Sequence, residues 1–247
     1  MRRVGALCLL AAVLVPGAAR ATPTIDSLKV SAGPIPGFPG TGDKPGAGAL
    51  IKGYAKISGD EYGGAPEPLV GLTVEAPAGM SLHRQGFASC AASVLMEKGP
   101  QGCPKGSSVG LGSALGVVTF GGERVPEHAT VQPFFAPEGG FEVYVFGASP
   151  ALVEVLGKAH IAPPAPGFGH TLVGEIPLIE TVPGGYDASF LEGTIVVGAA
   201  YRHNGRTISY ITLPPSCPKG GWPVKAELRF MGGGEIVAST KMACPNG

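Results

Sequence analysis

Charged residues are scarce in this sequence, and they form no basic cluster. The chain has 18 lysines and arginines against 18 aspartates and glutamates among 247 residues, so its formal net charge is zero. Proteins that attract nucleic acid or anionic lipid electrostatically usually carry a basic patch or run. We therefore predict no nucleic-acid partner.

Long apolar runs are also missing. The N-terminal run at residues 4–15 is twelve residues long, whereas a membrane-spanning helix needs about 20. Arg2 and Arg3 precede the run, and Ala19-Arg20-Ala21 follows it as a small-x-small cleavage pattern. These features predict a Sec-type signal peptide cleaved near Ala21 and a secreted or envelope-associated protein without a transmembrane segment. Cleavage removes three arginines and no acid, which leaves a net charge of about −3.

Helical periodicity is the third absence. No capping residue leads into a sustained apolar spacing of 3.6 residues, and only residues 91–96 (AASVLM) could form a short helix. The 41 glycines and 25 prolines instead separate many short apolar runs. This pattern predicts an all-β fold, an antiparallel β-sandwich of jelly-roll or Ig-like type with at most one short helix. Residues 22–247 are expected to form one domain, with two smaller β subdomains as the alternative.

Alternation of apolar and polar residues predicts the strands. In residues 50–57, Ile51, Ala55 and Ile57 share one side and Lys52 and Lys56 the other. Further strands are predicted at 25–30, 69–76, 117–120, 130–135, 141–147, 224–230 and 235–239, and within 170–179. Residues 152–156 fit either a strand or one helical turn, and we favour a strand. Residues 33–48 and 162–169 are rich in proline and glycine and predict loops.

Asn204-Gly205 predicts a two-residue type I′ hairpin within residues 194–213. The predicted register places His203 opposite Arg206, Tyr201 opposite Ile208, and Ala199 opposite Tyr210. The predicted buried face holds Val197, Tyr201, Ile208 and Tyr210.

Four cysteines remain once the signal peptide and its Cys8 are removed. They are Cys90, Cys103, Cys217 and Cys244. An even number of cysteines in an exported chain implies disulfides, and four cysteines allow three connectivities. Because each half of the chain holds a local pair, we predict Cys90–Cys103 and Cys217–Cys244.

Two serines lie in motifs of hydrolytic enzymes. Ser108 sits in G-S-S-V-G, which matches the nucleophile elbow, but the strand–turn–helix context of that motif is absent. Ser216 begins S-C-P-K, and Gly220, Gly221 and Pro223 would stop the helix that a serine–lysine pair requires. We therefore predict no catalytic residue. The alternative is a secreted serine hydrolase whose site is assembled from distant loops.

The histidines have no metal-binding spacing. They are His83, His128, His160, His170 and His203. None forms an i,i+2 or i,i+4 pair, so we predict neither a metal site nor a cofactor. The alternative is a metal site on strands, built from histidines that are distant in the sequence.

Trp222, the only tryptophan, lies five residues after Cys217. We predict that it packs over the second disulfide, because a large ring in such a position usually covers a sheet end. With Tyr201 and Tyr210 it could instead form an aromatic platform. That alternative predicts a carbohydrate-binding module in contact with the cell wall or a polysaccharide.

Two segments together resemble a group of exported proteins of high-GC Gram-positive bacteria that has no assigned activity. The first runs from APAGM (76–80) through GFASC (86–90) to KGPQGCPKGSSVG (98–110), and the second is LPPSCPKGGWPV (213–224) followed by Phe230 and Cys244. The resemblance spans roughly residues 69–247. It implies export, two local disulfides and a β-rich fold, and it implies no activity, cofactor or catalytic residue.

Taken together, these observations predict a secreted, non-catalytic β-sandwich protein with a binding or structural role in the envelope or the medium. The serine hydrolase and the carbohydrate-binding module are the alternatives.

Overall fold

A computed structural model describes residues 22–120, 122–150, 152–180 and 185–245. Its helical elements are α1 (Ala92–Lys98) and a 3₁₀ turn (Pro100–Gly102). Its strands are β1 (Thr24–Gly33), β2 (Leu50–Ser58), β3 (Leu69–Pro77), β4 (Ser81–Leu82), β5 (Gly110–Phe120), β6 (Glu123–Phe135), β7 (Phe141–Gly147), β8 (Val153–Ala162), β9 (Phe168–Glu175), β10 (Ser189–Val197), β11 (Ala200–His203), β12 (Arg206–Ser209), β13 (Ile211–Thr212), β14 (Trp222–Phe230) and β15 (Glu235–Met242).

Eleven strands form one antiparallel sheet in the order β1-β2-β10-β5-β6-β7-β8-β9-β3-β14-β15. The edge strands β1 and β15 approach each other, so the sheet is nearly closed. The pairs β11–β12 and β4–β13 form two small sheets beside it. The all-β prediction with one short helix is confirmed, and the long strands belong to one continuous sheet rather than to two separate ones.

The inner face of the sheet carries the main core. Strand β14 shows the principle, because every second residue is buried and the residues between them are not. Trp222 and Val224 pack with Phe135 and Tyr210 in the larger inner cluster. A smaller inner cluster joins Leu228 and Phe230 to Ile57 of β2. The period of two that predicted the strands is therefore also what separates the inner side chains from the outer ones.

A second layer covers part of the outer face. Phe134 and Tyr144 alternate with inner residues of β6 and β7, and they are buried beneath Leu95 of α1 and Cys90. The disulfide Cys90–Cys103 ties the segment that contains α1, as predicted. We call Phe134, Tyr144 and Leu156, with the α1 segment over them, the covered patch.

The Asn204-Gly205 hairpin has the predicted register. His203 pairs with Arg206, Tyr201 pairs with Ile208, and the Tyr210 amide donates to the Ala199 carbonyl at 2.8 Å. Asn204 (φ +49°) and Gly205 (φ +74°) both have the positive φ that a type I′ turn requires. Of the predicted buried face, Tyr210 is buried, whereas Val197, Tyr201 and Ile208 are only half-buried.

Several predicted strand boundaries were wrong. Strand β5 begins at Gly110 rather than at 117, β6 begins at Glu123 rather than at 130, and β8 ends at Ala162 rather than at 156. The glycine-rich start of β5 lies against β10 so closely that a Cβ at Gly110 or Gly112 would meet the carbonyl oxygen of Val196 or Thr194. Those glycines therefore permit close strand approach instead of ending the strand.

Candidate functional site

A cleft of about 300 Å³ opens where β2, β10, β5 and β6 meet the loop that follows β2. Its lining residues are Lys56, Ile57, Ser58, Gly59, Pro66, Leu115, Arg124, Leu191 and Glu192. The volume is at the small end of the range for ligand pockets. In the strand register, Lys56 lies opposite Glu192, and Glu192 lies opposite Leu115. These three residues therefore form one row across neighbouring strands. Because Lys56 is exposed, the row lies on the outer face.

A β-bulge shapes the wall of the cleft. Phe190 pairs with Gly116 and Glu192 with Leu115, which leaves Leu191 as an extra residue in β10. Without the extra residue, Phe190 and Glu192 would point to the same face of the sheet. With it, Phe190 packs against the inner cluster around Leu228, while Glu192 reaches the outer cleft. Bulges commonly redirect side chains in this way next to functional sites.

Contacts at several points hold the loop that forms the other wall. The Thr119 hydroxyl donates to the Gly63 carbonyl at 2.8 Å. The Tyr62 ring meets the Tyr186 ring edge-on with centroids 4.8 Å apart, and the Tyr62 hydroxyl accepts from the Asp187 amide at 3.2 Å. At Gly63, with φ +62°, a Cβ would stand only 3.2 Å from Thr119 and Tyr186. These contacts hold the loop against Thr119 of β5 and against Tyr186.

The acidic group of the cleft already has a partner. The Tyr54 hydroxyl donates to Glu192 Oε2 at 2.9 Å. This hydrogen bond to the carboxylate is the main reason that the pKa of the Tyr54 phenol is raised, and partial desolvation adds to it. Glu61 has its carboxylate against Gly59 but is not among the lining residues.

The basic groups of the cleft have no such partner. Lys56 and Arg124 are exposed, and neither forms an ion pair or a side-chain hydrogen bond with another residue of the described ranges. By contrast, Lys225 Nζ pairs with Glu75 Oε1 at 3.0 Å on a distant strand pair. Two cations that form no ion pair within the described ranges, and one carboxylate bonded to Tyr54, therefore line the same concave surface.

The serines singled out by sequence motifs lie elsewhere. The Ser108 hydroxyl donates to the Gly110 carbonyl and accepts from Gln132 Nε2, both at 3.2 Å. Ser216 is exposed, and its carbonyl accepts from Trp222 Nε1 at 2.9 Å. Within the described part of the chain, neither serine hydroxyl has a hydrogen bond to a histidine. The structure therefore assembles no charge-relay geometry around them.

The stretch containing Trp222 is a packed corner, as predicted. Trp222 is 2% exposed. The disulfide of this stretch joins Cys217 to Cys244, as predicted. Tyr210 is 4% exposed, so neither ring is available to stack on a sugar. Tyr201 packs edge-on against Phe87 with centroids 4.9 Å apart. The aromatic platform expected from these three rings is not formed.

The histidines and acids do not gather into a metal site. Over the described ranges, no group of three or more histidine, cysteine, aspartate or glutamate side chains is placed to hold a metal ion. His203 Nε2 lies 3.3 Å from Asn204 Nδ2, in the hairpin turn.

Sequence reasoning identified Lys56 as an outward residue but missed the cleft. Arg124 fell between two predicted strands, and Glu192 was given no role. One local signal was present: the adjacent apolar residues Phe190 and Leu191 interrupt the alternation that precedes Glu192, which is what a bulge produces.

Comparison with known proteins supplies no identity for this arrangement. No family model matches the chain, and no curated protein matches it either. The resemblance to exported proteins of high-GC Gram-positive bacteria therefore stays a prediction. In the described residues, no helix has the length and apolar character needed to cross a membrane.

Proposed function

We propose that this chain is an exported, non-catalytic binding protein whose cleft at the Leu191 bulge holds the anionic group of an extracellular ligand. The observation that carries the proposal is that Lys56 and Arg124 line one concave site and that neither forms an ion pair within the described residues. Arginine and lysine bind carboxylate and phosphate groups through charge-assisted hydrogen bonds.

The engaged state of Glu192 supports an anion rather than a cation as the ligand. Its carboxylate already accepts the Tyr54 hydroxyl, whereas the donors of Lys56 and Arg124 are unoccupied by described side chains. Leu115 and Leu191 add apolar surface to the lining. A small site that combines apolar walls with a few polar groups is typical of ligand recognition.

The hydrogen bonds of Ser58, whose hydroxyl lies in the lining of the cleft, support binding rather than nucleophilic chemistry. Ser58 donates to Asp26 Oδ1 at 2.7 Å and shares a 3.0 Å hydrogen bond with Thr24. A serine nucleophile needs an adjacent base that can take its proton, usually a histidine. Among the described residues that line the cleft, none is a histidine or a cysteine.

Two disulfides support the exported location, since such bonds persist in oxidising compartments. The signal peptide itself falls at residues 1–21, outside the described residues, and remains a prediction. A disulfide-bonded exported protein with a small anion site suits contact with components of the envelope or the medium.

The proposal is tested with D-galacturonate and its methyl ester, in which a neutral ester group replaces the charged carboxylate. Ligand-observed NMR should detect binding of galacturonate and at least about tenfold weaker binding of the ester, because charge-assisted hydrogen bonds are lost. The double variant Lys56→Gln/Arg124→Gln should lose galacturonate binding by a similar factor.

The matched control is Arg202→Gln/Lys241→Gln, which removes the same charge from exposed positions on β11 and β15. This control should bind galacturonate like the native protein. Equal binding of acid and ester, or equal loss in both double variants, would refute the proposed anion site.

A further inference from the structure

The outer face beside the cleft carries a row of hydroxyl side chains. Thr194 of β10 pairs with Ser113 of β5, and Ser113 pairs with Thr130 of β6. The row is flanked by Tyr54 of β2, which pairs with Thr194, and by Phe146 of β7, which pairs with Thr130. Paired residues of antiparallel strands point to the same face, so all five side chains share the outer face. We call Thr194, Ser113 and Thr130 the hydroxyl row.

The hydroxyl row is open to a ligand. Ser113 and Thr130 are exposed and Thr194 is half-buried. None of the three hydroxyls has a hydrogen bond to another residue in the described ranges. Three neighbouring hydroxyls, each able to donate and accept hydrogen bonds, are therefore available to a ligand on the solvent side of the sheet.

An exposed aromatic ring ends the row in a defined orientation. Phe146 is 39% exposed, and its ring lies parallel to the Tyr144 ring, with centroids 6.3 Å apart and an angle of 4°. The Tyr144 hydroxyl in turn donates to Glu154 Oε1 at 2.8 Å. Leu111, which is 57% exposed, adds apolar surface on β5. The apolar C–H face of a sugar ring matches such a surface, while its hydroxyls match the row.

The opposite end of the row is basic. Lys29, Lys52 and Lys56 are exposed on β1 and β2, and Lys29 Nζ lies 5.8 Å from the centroid of the Tyr54 ring. Tyr54 also joins the row to the cleft, because its hydroxyl is bonded to Glu192. In a chain without an excess of basic residues, this grouping gives the face charge complementarity to an anionic ligand.

The length of the row indicates a polymer rather than a small molecule. Together with the flanking Tyr54 and Phe146, the row extends over five adjacent strands, and four spacings of about 4.8 Å give a span of roughly 19 Å before curvature is considered. The three strands that carry the hydroxyl row are interior strands with neighbours on both sides. A peptide therefore cannot add to them as a further strand, since β-augmentation needs a free edge.

We infer that this face binds an acidic polysaccharide, whose anionic group occupies the Lys56–Arg124 cleft while neighbouring sugars lie along the hydroxyl row against Phe146. The inference rests on the proposed function of the cleft and names the ligand class of that site. Lys29 and Lys52 attract further acidic groups along the chain, and the hydroxyl row distinguishes a sugar polymer from other polyanions.

Polygalacturonate, its fully methyl-esterified form and poly-L-glutamate are the probes for this inference. We expect the native protein to bind polygalacturonate at least about tenfold more tightly per uronate than it binds the monomer, because linked groups engage several subsites. The esterified polymer lacks the charge and poly-L-glutamate lacks the sugars, so both should bind about tenfold more weakly than polygalacturonate. Affinity electrophoresis and calorimetry measure these differences.

The variant Ser113→Ala/Thr130→Val removes two hydroxyls and preserves side-chain shape. It should weaken polygalacturonate binding roughly fivefold or more while leaving binding of the galacturonate monomer unchanged. The control Ser239→Ala/Thr73→Val makes the same substitutions on the outer side of β15 and β3 and should change neither affinity.

The results separate the two proposals. If galacturonate binds through Lys56 and Arg124 but the polymer binds no tighter, or the hydroxyl-row variant behaves like its control, the polysaccharide inference fails and the anion site stands. If poly-L-glutamate binds as tightly as polygalacturonate, the inference also fails, because charge alone is recognised. If galacturonate binding is absent or insensitive to Lys56→Gln/Arg124→Gln, the proposed function itself fails.

Discussion

Two parts of the same outer sheet face differ in what lies over them. The covered patch has Phe134 and Tyr144 beneath α1 and the Cys90–Cys103 disulfide. The adjoining area around the hydroxyl row has Leu111 and Phe146 exposed to solvent. Both areas are built from the same or neighbouring strands with the same alternation. The difference indicates that the covered patch contributes stability, whereas the open area and its cleft are free to bind.

The largest expected contrast is between two phenylalanines on this face. Phe134 is 2% exposed and Phe146 is 39% exposed. Phe134→Ala should lower the free energy of unfolding by about 4 kcal/mol, because a buried ring is replaced by a cavity. Phe146→Ala should lower it by less than about 1 kcal/mol, because that ring already contacts water. Denaturant titration under non-reducing conditions measures both, and similar losses would contradict the comparison.

Removal of the disulfide that ties the covered patch should have the next largest effect. Cys90→Ala/Cys103→Ala opens a ring with a sequence separation of 13, and loop entropy gives an expected loss of about 3 kcal/mol in unfolding free energy. Galacturonate affinity, measured where the variant is still folded, should stay unchanged. A lost affinity in the folded variant would mean that the covered patch and the cleft are not separate.

Substitution of the buried Glu142 on β7 should change the free energy of unfolding by the smallest amount. Glu142 is 5% exposed, its Oε2 is buried without a hydrogen-bond partner, and desolvation raises its pKa against the lowering effect of Lys158. A raised pKa in the folded state means that this carboxyl favours folding when protonated and that the contribution is lost as the pH rises through the folded pKa. Glu142→Gln should therefore stabilise the protein near neutral pH by less than about 1 kcal/mol.

The pH dependence distinguishes this effect from a general gain in stability. The advantage of Glu142→Gln should shrink as the pH falls below the ordinary glutamate range, where both states of the native carboxyl are protonated. Glu97→Gln, on the exposed side of α1, is the control and should show no such trend. A stabilisation of Glu142→Gln that is independent of pH would contradict the explanation.

Local sequence patterns predicted the features that depend on neighbouring residues. The Asn204-Gly205 turn, the helix near Leu95 and the pairing of Cys90 with Cys103 each arise within a short segment, and all are confirmed. Strand limits were less predictable where glycine serves close packing, as at Gly110. Alternation identifies a strand and its apolar side but carries no information on which strand lies beside it.

The candidate site was unpredictable for that reason. Its basic residues Lys56 and Arg124 come from β2 and β6, and the bulged β10 brings Glu192 between them only because β10 pairs with both β2 and β5. The same pairing aligns Thr194 with Ser113. Conversely, Trp222 lies in the most distinctive segment of the sequence and serves packing alone, since its ring is buried and its Nε1 is bonded to Ser216.

A protein-observed NMR titration of the ¹⁵N-labelled protein with D-galacturonate tests the central claim most directly. If the cleft holds the anion, chemical-shift changes should be concentrated at Lys56, Arg124 and Glu192 and their strand neighbours, with little change at Leu95 or Tyr144 of the covered patch. Shift changes concentrated at α1 or at the Asn204-Gly205 hairpin, or no changes anywhere, would contradict the assignment of the cleft as the binding site.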